Sequence, residues 1–131
     1  MKKKKVILFM PTIEIGGVEK NFVLIANFLS TKFNNLTLVT LSKTKRGMFA
    51  KNINFVTLSL INTSKFSRRI KFLIGLIMLT KEIIKQNNTV VVAFQANLYC
   101  VYLCKLLRTK VVIRSNSSPT GWSNNFIKKI F

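Results

Sequence analysis

Five short apolar runs, separated by stretches with helical spacing, constrain this chain more than any other feature. Val6–Met10 is apolar at every position, the pattern of a parallel strand buried on both faces. Val18, Phe22, Ile25, Ala26 and Leu29 follow at helical intervals and predict a helix over 18–30. Asn34 and Asn35 turn the chain into a second strand, Leu36–Leu41. The basic stretch Lys43–Arg46, with Gly47, reads as a linker to a third strand near Ile53–Leu58. Ser64–Gln86 is the longest helical candidate. Asn87 and Asn88 end it, and Thr89–Phe94 is a strand built on Val90, Val91 and Val92. A helix over Asn97–Leu107 and a fifth strand, Lys110–Arg114, come next. A polar loop through Pro119 and Gly121 and a helix beginning at Asn124 complete the pattern. Such alternation over short connections specifies an α/β fold, a Rossmann-like doubly wound parallel sheet, because crossovers between parallel strands are right-handed. The 131 residues, 49% of them hydrophobic, suffice for one domain with a core.

The side-chain inventory limits the chemistry. There are 22 basic residues against three acids, Glu14, Glu19 and Glu82, and no Asp or His, for a formal net charge of +19. A carboxylate pair is hard to assemble, because Glu82 belongs to a different helix from the other two. No His/Cys/Asp metal cluster is available, and no metal or cofactor is expected. The residues suit positioning substrates and stabilising negative charge better than full acid–base catalysis. The charge implies anionic partners, such as phosphates, an acidic membrane surface or an acidic second domain. Cys100 and Cys104 share one helix face and read as buried thiols.

In a doubly wound sheet, ligands bind beyond the C-terminal ends of the strands. Three loops converge there: Pro11–Gly17, Phe94–Asn97 and Arg114–Gly121. Gly16 and Gly17 stand between a strand and a helix. They are able to take positive φ or to let another group approach the backbone. The helix start behind them offers N–H groups and a dipole to an anion. Neither GxGxxG nor the phosphate-loop GxxxxGK[ST] is present. Glu19 is favourably placed against the helix dipole, and Lys20 is within reach of an anion. Gln95 and Asn97 occupy the edge after the fourth strand, Asn97 being also a candidate N-cap. Beyond the fifth strand, Arg114 presents a fork suited to phosphate or carboxylate. Ser115, Asn116 and Ser117 offer bonds to sugar hydroxyls or cap the next segment. Trp122 is either a platform for a ring or an anchor for the last helix.

Lys65, Arg68, Arg69 and Lys71 precede the apolar run Phe72–Leu79, and Lys81 and Lys85 follow it. Basic charge beside so apolar a helix reads as a membrane-facing surface for an anionic bilayer. Val6–Met10 is too short for a signal-peptide core and stops at Pro11, and no run approaches a membrane span. The expected location is cytoplasmic, or peripheral on the inner face of the plasma membrane.

Glu14-Ile-Gly-Gly-Val-Glu19, Ala26-Asn-Phe-Leu29, Val90-Val-Val-Ala-Phe-Gln95 and Val111-Val-Ile-Arg-Ser-Asn116 through Pro119 together resemble the N-terminal domain of a family 4 glycosyltransferase of the GT-B class. The resemblance covers essentially the whole chain. It implies the acceptor-side half of a retaining glycosyltransferase with two Rossmann-like domains around a cleft. The substrates would be a nucleotide-sugar donor and a glycan or lipid-linked acceptor, as in polysaccharide or lipopolysaccharide biosynthesis. It implies that Gly16 and Gly17 approach the donor phosphates and that Arg114 to Ser117 border the acceptor side. The histidine that many members place near that segment is missing. The C-terminal donor-binding domain lies outside the sequence, so the chain alone is expected to be inactive. Two other classes remain open. One is an inactive fragment or the subunit of a split enzyme. The other is a basic nucleic-acid-binding module, disfavoured because no reader motif is present and the charge is scattered.

Overall fold

The computed structural model describes residues 4–58 and 62–114. Five strands form one all-parallel sheet in the order β3-β2-β1-β4-β5. These are β1 (Lys5–Phe9), β2 (Leu36–Val39), β3 (Asn54–Val56), β4 (Thr89–Ala93) and β5 (Lys110–Ile113). The helices are α1 (Gly17–Lys32), α2 (Arg68–Lys85) and α3 (Asn97–Leu106). This is the doubly wound α/β fold that the alternation predicts.

The central strand shows why. Because β1 is hydrogen-bonded on both sides, its alternate side chains enter two separate cores. Val6 and Leu8 pack with Phe22 and Ala26 of α1, while Ile7 and Phe9 pack with Leu79 of α2 and Cys100 and Cys104 of α3. In the first core the Phe22 ring meets Phe94 edge-on at 4.6 Å and Phe49 at 5.8 Å. α1 thereby reaches across to the strand-β4 side and fixes where that strand's loop begins.

Two segments depart from the sequence expectation. The stretch Lys43–Arg46 is part of a 3-10 helix, Lys43–Met48, and not a free linker. Arg46 organises it by donating to four backbone oxygens, those of Phe49, Ala50, Lys51 and Ile53, at 3.1–3.3 Å. Its guanidinium also lies 5.4 Å from the centre of the Phe55 ring. Substituting Arg46→Met keeps the apolar stem but removes the guanidinium donor from all four oxygens, of which Ala50 O still accepts from Ile53 N–H. We expect it to lower unfolding free energy by about 2 kcal/mol in urea titrations, with the m-value unchanged.

The long helix expected over Ser64–Gln86 starts later. Thr63–Lys65 is a separate 3-10 turn, and Ser67 is the N-cap, its Oγ accepting from Ile70 N at 3.5 Å. Lys65 therefore stands off the helix. Among the described residues no helix is long and apolar enough to cross a membrane.

Candidate functional site

The strand order reverses between β1 and β4. From β1 the chain winds outward to β2 and β3, then returns to build β4 and β5 on the other side. The loops leaving β1 and β4 at their C-terminal ends therefore part from each other, and the crevice between them is where ligands of such sheets bind.

One hydrogen-bonded bridge spans that crevice. Thr12 is buried, and both its N–H and its Oγ1 donate to Gln95 Oε1, at 3.2 Å and 2.9 Å. On the opposite flank Ile13 N–H donates to Ser42 Oγ at 2.8 Å, and Leu41 N–H to the Pro11 carbonyl at 2.9 Å. The loop after β1 is thus tied on both sides to the strands it separates. With Oε1 committed to Thr12, the Gln95 Nε2 amide remains, and it donates to no described residue. Thr12 and Ser42 are contributions that the sequence did not signal as site residues. The one cue was the position of Thr12 directly after a strand-ending proline.

Next to the bridge, Ala96 adopts a left-handed conformation (φ 53°) and is the N-cap of α3. Asn97 is consequently the first helical residue and not the cap. Its Nδ2 donates to the Arg114 carbonyl at 2.9 Å, tying the end of β5 to the start of α3. The Oδ1 atom of Asn97 is buried without a hydrogen-bond partner. The backbone N–H of Arg114 donates to the Ala93 carbonyl at 3.0 Å, and its guanidinium carbon lies 5.9 Å from the centre of the Phe94 ring. The face of that ring favours the cation, and no acid pairs with it among the described residues. Asn97 is thus joined to the end of β5 at Arg114, and Gln95 lies two residues before it in the loop after β4. Ser115, Asn116, Ser117, Trp122 and the helix expected from Asn124 lie outside the described residues.

Of the two roles open to the glycine pair, positive φ is not used. Gly16 is the N-cap of α1 in a fully extended conformation, φ −174° and ψ 177°, and no described glycine has positive φ. Another group does approach closely at Gly16: a Cβ there would lie 2.5 Å from Glu19 Oε2, the end of a flexible side chain that a substitution could swing aside. Glu19 sits at the third helical position and folds back over the helix start, where a carboxylate complements the dipole. An external anion at this end of α1 must therefore displace Glu19 or bind beside it. Gly17 has open space around its Cα and Lys20 is exposed. Just before them, Ile15 is 92% exposed, an apolar tip beside the crevice.

The arrangement offers donors and cations to a hydroxylated or negatively charged ligand, with Glu14 and Glu19 as its nearby acids. The two cysteines stand apart from it. Burial pushes the Cys100 thiol up to about 12, with neighbouring Cys104 adding to the effect, and burial raises Cys104 to about 11. Both are therefore protonated core side chains at neutral pH. A cavity of about 350 Å³ opens at the opposite edge of the sheet, lined by Lys4, Gln86, Asn88, Arg108 and Lys110. The C-terminal ends of α2 and α3 face that edge with their negative dipole ends, which its cations complement. No protein-family model matches the chain, and no curated protein matches its sequence.

Proposed function

We propose that this chain is the acceptor-side domain of a retaining glycosyltransferase. It would act with a donor-binding domain supplied in cis or in trans to move a sugar from a nucleotide-sugar to a glycan or lipid-linked acceptor. One observation carries the reading. The switch-point crevice presents the Gln95 amide beside Thr12 and the Arg114 guanidinium over the Phe94 ring, and its nearby carboxylates are Glu14 and Glu19 alone, in a chain without His or Asp. Such a site holds polar, anionic substrates in register and leaves most of the charge stabilisation to a second domain. The resemblance of Glu14–Glu19 and Val90–Gln95 to family 4 glycosyltransferases supports the same assignment.

Titrating the isotopically labelled chain with uridine and guanosine diphosphate hexoses tests it. Amide shifts should concentrate at residues 12–19, 95–97 and 114, without sugar release. Arg114→Ala should weaken binding about tenfold, the effect of losing one charged hydrogen bond, with the fold retained. Rapid turnover by the chain alone, or shifts confined to the opposite edge of the sheet, would overturn the proposal.

A further inference from the structure

The N-terminal edge of the sheet, opposite the crevice, carries a second concentration of donors. There the cavity of about 350 Å³ is bounded by the residue before β1, the α2–β4 loop and the α3–β5 loop. Strand pairing sets these side by side, with Lys5 beside Thr89 and Val90 beside Lys110. The lining supplies three cations, Lys4, Arg108 and Lys110, and three side-chain amides, Gln86, Asn87 and Asn88, and it includes no carboxylate. None of the three cations has an ion-pair partner among the described residues. The one acid on α2 and α3, Glu82, is buried and accepts from Gln86 Nε2 at 2.9 Å. The backbone is unusual in the same place. α3 ends in a Schellman turn, Thr109 N–H donating to the Cys104 carbonyl at 2.8 Å and Arg108 N–H to the Lys105 carbonyl at 3.2 Å. Glycine is the usual residue at the left-handed position of such a turn, but here it is Arg108, at φ 52°. Asn88, at φ 60°, makes the other left-handed turn of the cavity. A long cationic side chain thus stands where the backbone favours none.

We propose that this cavity binds a compact, multiply charged phosphate of the pyrophosphate or oligophosphate class. Charge balance decides whether its cations are spent or in surplus. The C-terminal ends of α2 and α3 together present roughly one negative charge. Lys85 and Lys105, in the last turns of those helices, already complement it. The terminal carbonyls are also occupied: Gln86 N–H donates to those of Glu82 and Ile83, and Thr89 Oγ1 donates to that of Gln86. The three lining cations therefore exceed what the helix ends need, and they repel one another until an anion joins them. An oligophosphate accepts from the guanidinium fork, the two ammonium groups and the neighbouring amides together. The volume suits it, since small-molecule pockets begin at roughly 300 Å³. A second cavity, of about 270 Å³, shares Lys4 but adds only one further cation, Lys32. Charge is thus densest in the first cavity, which favours a compact anion over an extended one. This site stands independently of the glycosyltransferase reading.

Titrating the isotopically labelled full chain with inorganic pyrophosphate at physiological salt tests it. Amide shifts should concentrate at residues 86–90 and 107–110. Arg108→Gly should bind about tenfold more weakly, the effect of losing a charged hydrogen-bonding fork. It should melt no lower than the parent, because glycine suits the left-handed turn. Lys4→Ala, outside every helix and strand, should weaken binding by a similar factor with the fold untouched. Lys43→Ala removes an exposed charge after β2, at the other edge of the sheet, and should bind as the parent does. No binding at millimolar pyrophosphate overturns the proposal. So do shifts confined to residues 12–19, 95–97 and 114, which place the anion in the crevice. Binding that folded Arg108→Gly and Lys4→Ala both retain, or that Lys43→Ala loses equally, is general charge attraction and overturns it as well. Affinity for single-stranded RNA that rises with length, with none for pyrophosphate, assigns the edge to a nucleic acid and also overturns it.

Discussion

Gln95→Leu should cost about 3 kcal/mol of stability and, on the proposed function, abolish nucleotide-sugar binding in the crevice. Leucine approximates the shape of glutamine but accepts nothing. Thr12 would keep a buried N–H and a buried hydroxyl that both lose their acceptor. Each donor stranded in this way costs roughly 1–3 kcal/mol, and in a chain of this size the sum should lower Tm by about 10 °C. Two further variants separate stability from binding. Adding Thr12→Val to Gln95→Leu removes the stranded hydroxyl and should recover part of the loss, because deleting both partners is cheaper than deleting one. Gln95→Glu keeps an acceptor for Thr12 and should remain close to the parent in stability. It replaces the Nε2 donor, which donates to no described residue, with negative charge, however, and on the proposed function should abolish binding of nucleoside diphosphate sugars. Thermal melts and ligand titrations of the three proteins would show the two effects moving separately. If Gln95→Leu melts with the parent, the bridge does not hold the loop.

The bridge also shows where reading the sequence stops. Strand identity was legible because a strand buried on both faces has no polar positions, as in Val6–Phe9, and because helices must alternate with such strands. The reversal between β1 and β4 is also implied by the doubly wound class. The pairing of Thr12 with Gln95, 83 residues apart, depends on the register in which Phe9 faces Ala93. No local pattern encodes that register. Asn97 illustrates a tertiary override. Its intrinsic preference is to cap, but the left-handed turn at Ala96 moves the helix start by one residue, and the Arg114 carbonyl takes its amide. At Gly16 the residue type was informative: of its two possible roles, positive φ and close approach of another group, the structure shows the second. The extended N-cap needs no unusual dihedral, and the neighbour over it is the movable Glu19 carboxylate. The start of α2 was misread because Ser64 and Ser67 both resemble caps, and only Ser67 stands three residues before the first turn's Ile70 N–H. The basic residues before Phe72 are likewise redistributed by the helix geometry: Arg68 places its guanidinium 5.4 Å from the centre of the Phe72 ring, Arg69 is exposed, Lys71 is half-buried, and Lys65 lies off the helix.

Gly75→Val should also cost about 3 kcal/mol, by a different physical route that reaches the same loop. Gly75 is buried where α2 crosses the C-terminal end of β1. A Cβ at that position would lie 3.2 Å from Pro11 Cβ and Cγ and 3.3 Å from Phe9 Cε2. Pro11 is a fully buried rigid ring whose carbonyl accepts from Leu41 N–H, and Phe9 is locked in the second core, so neither gives way easily. A single methyl presses on three atoms already near contact. In Gly75→Ala that strain is offset by about 1 kcal/mol of improved helix propensity, and the net change should be small. Valine adds two further carbons on a stiff β-branched stem, and overpacking of this kind costs roughly 1–3 kcal/mol or more. The strain must move α2 outward or push Pro11 toward the crevice. Pro11 immediately precedes Thr12, so the second response would lengthen the Thr12–Gln95 contacts and weaken ligand binding in proportion to lost stability. The first would leave binding intact. Measuring urea stability and nucleotide-sugar affinity on Gly75→Ala and Gly75→Val therefore separates the two. A valine variant as stable as the parent would show that the helix does not bear on the loop at all.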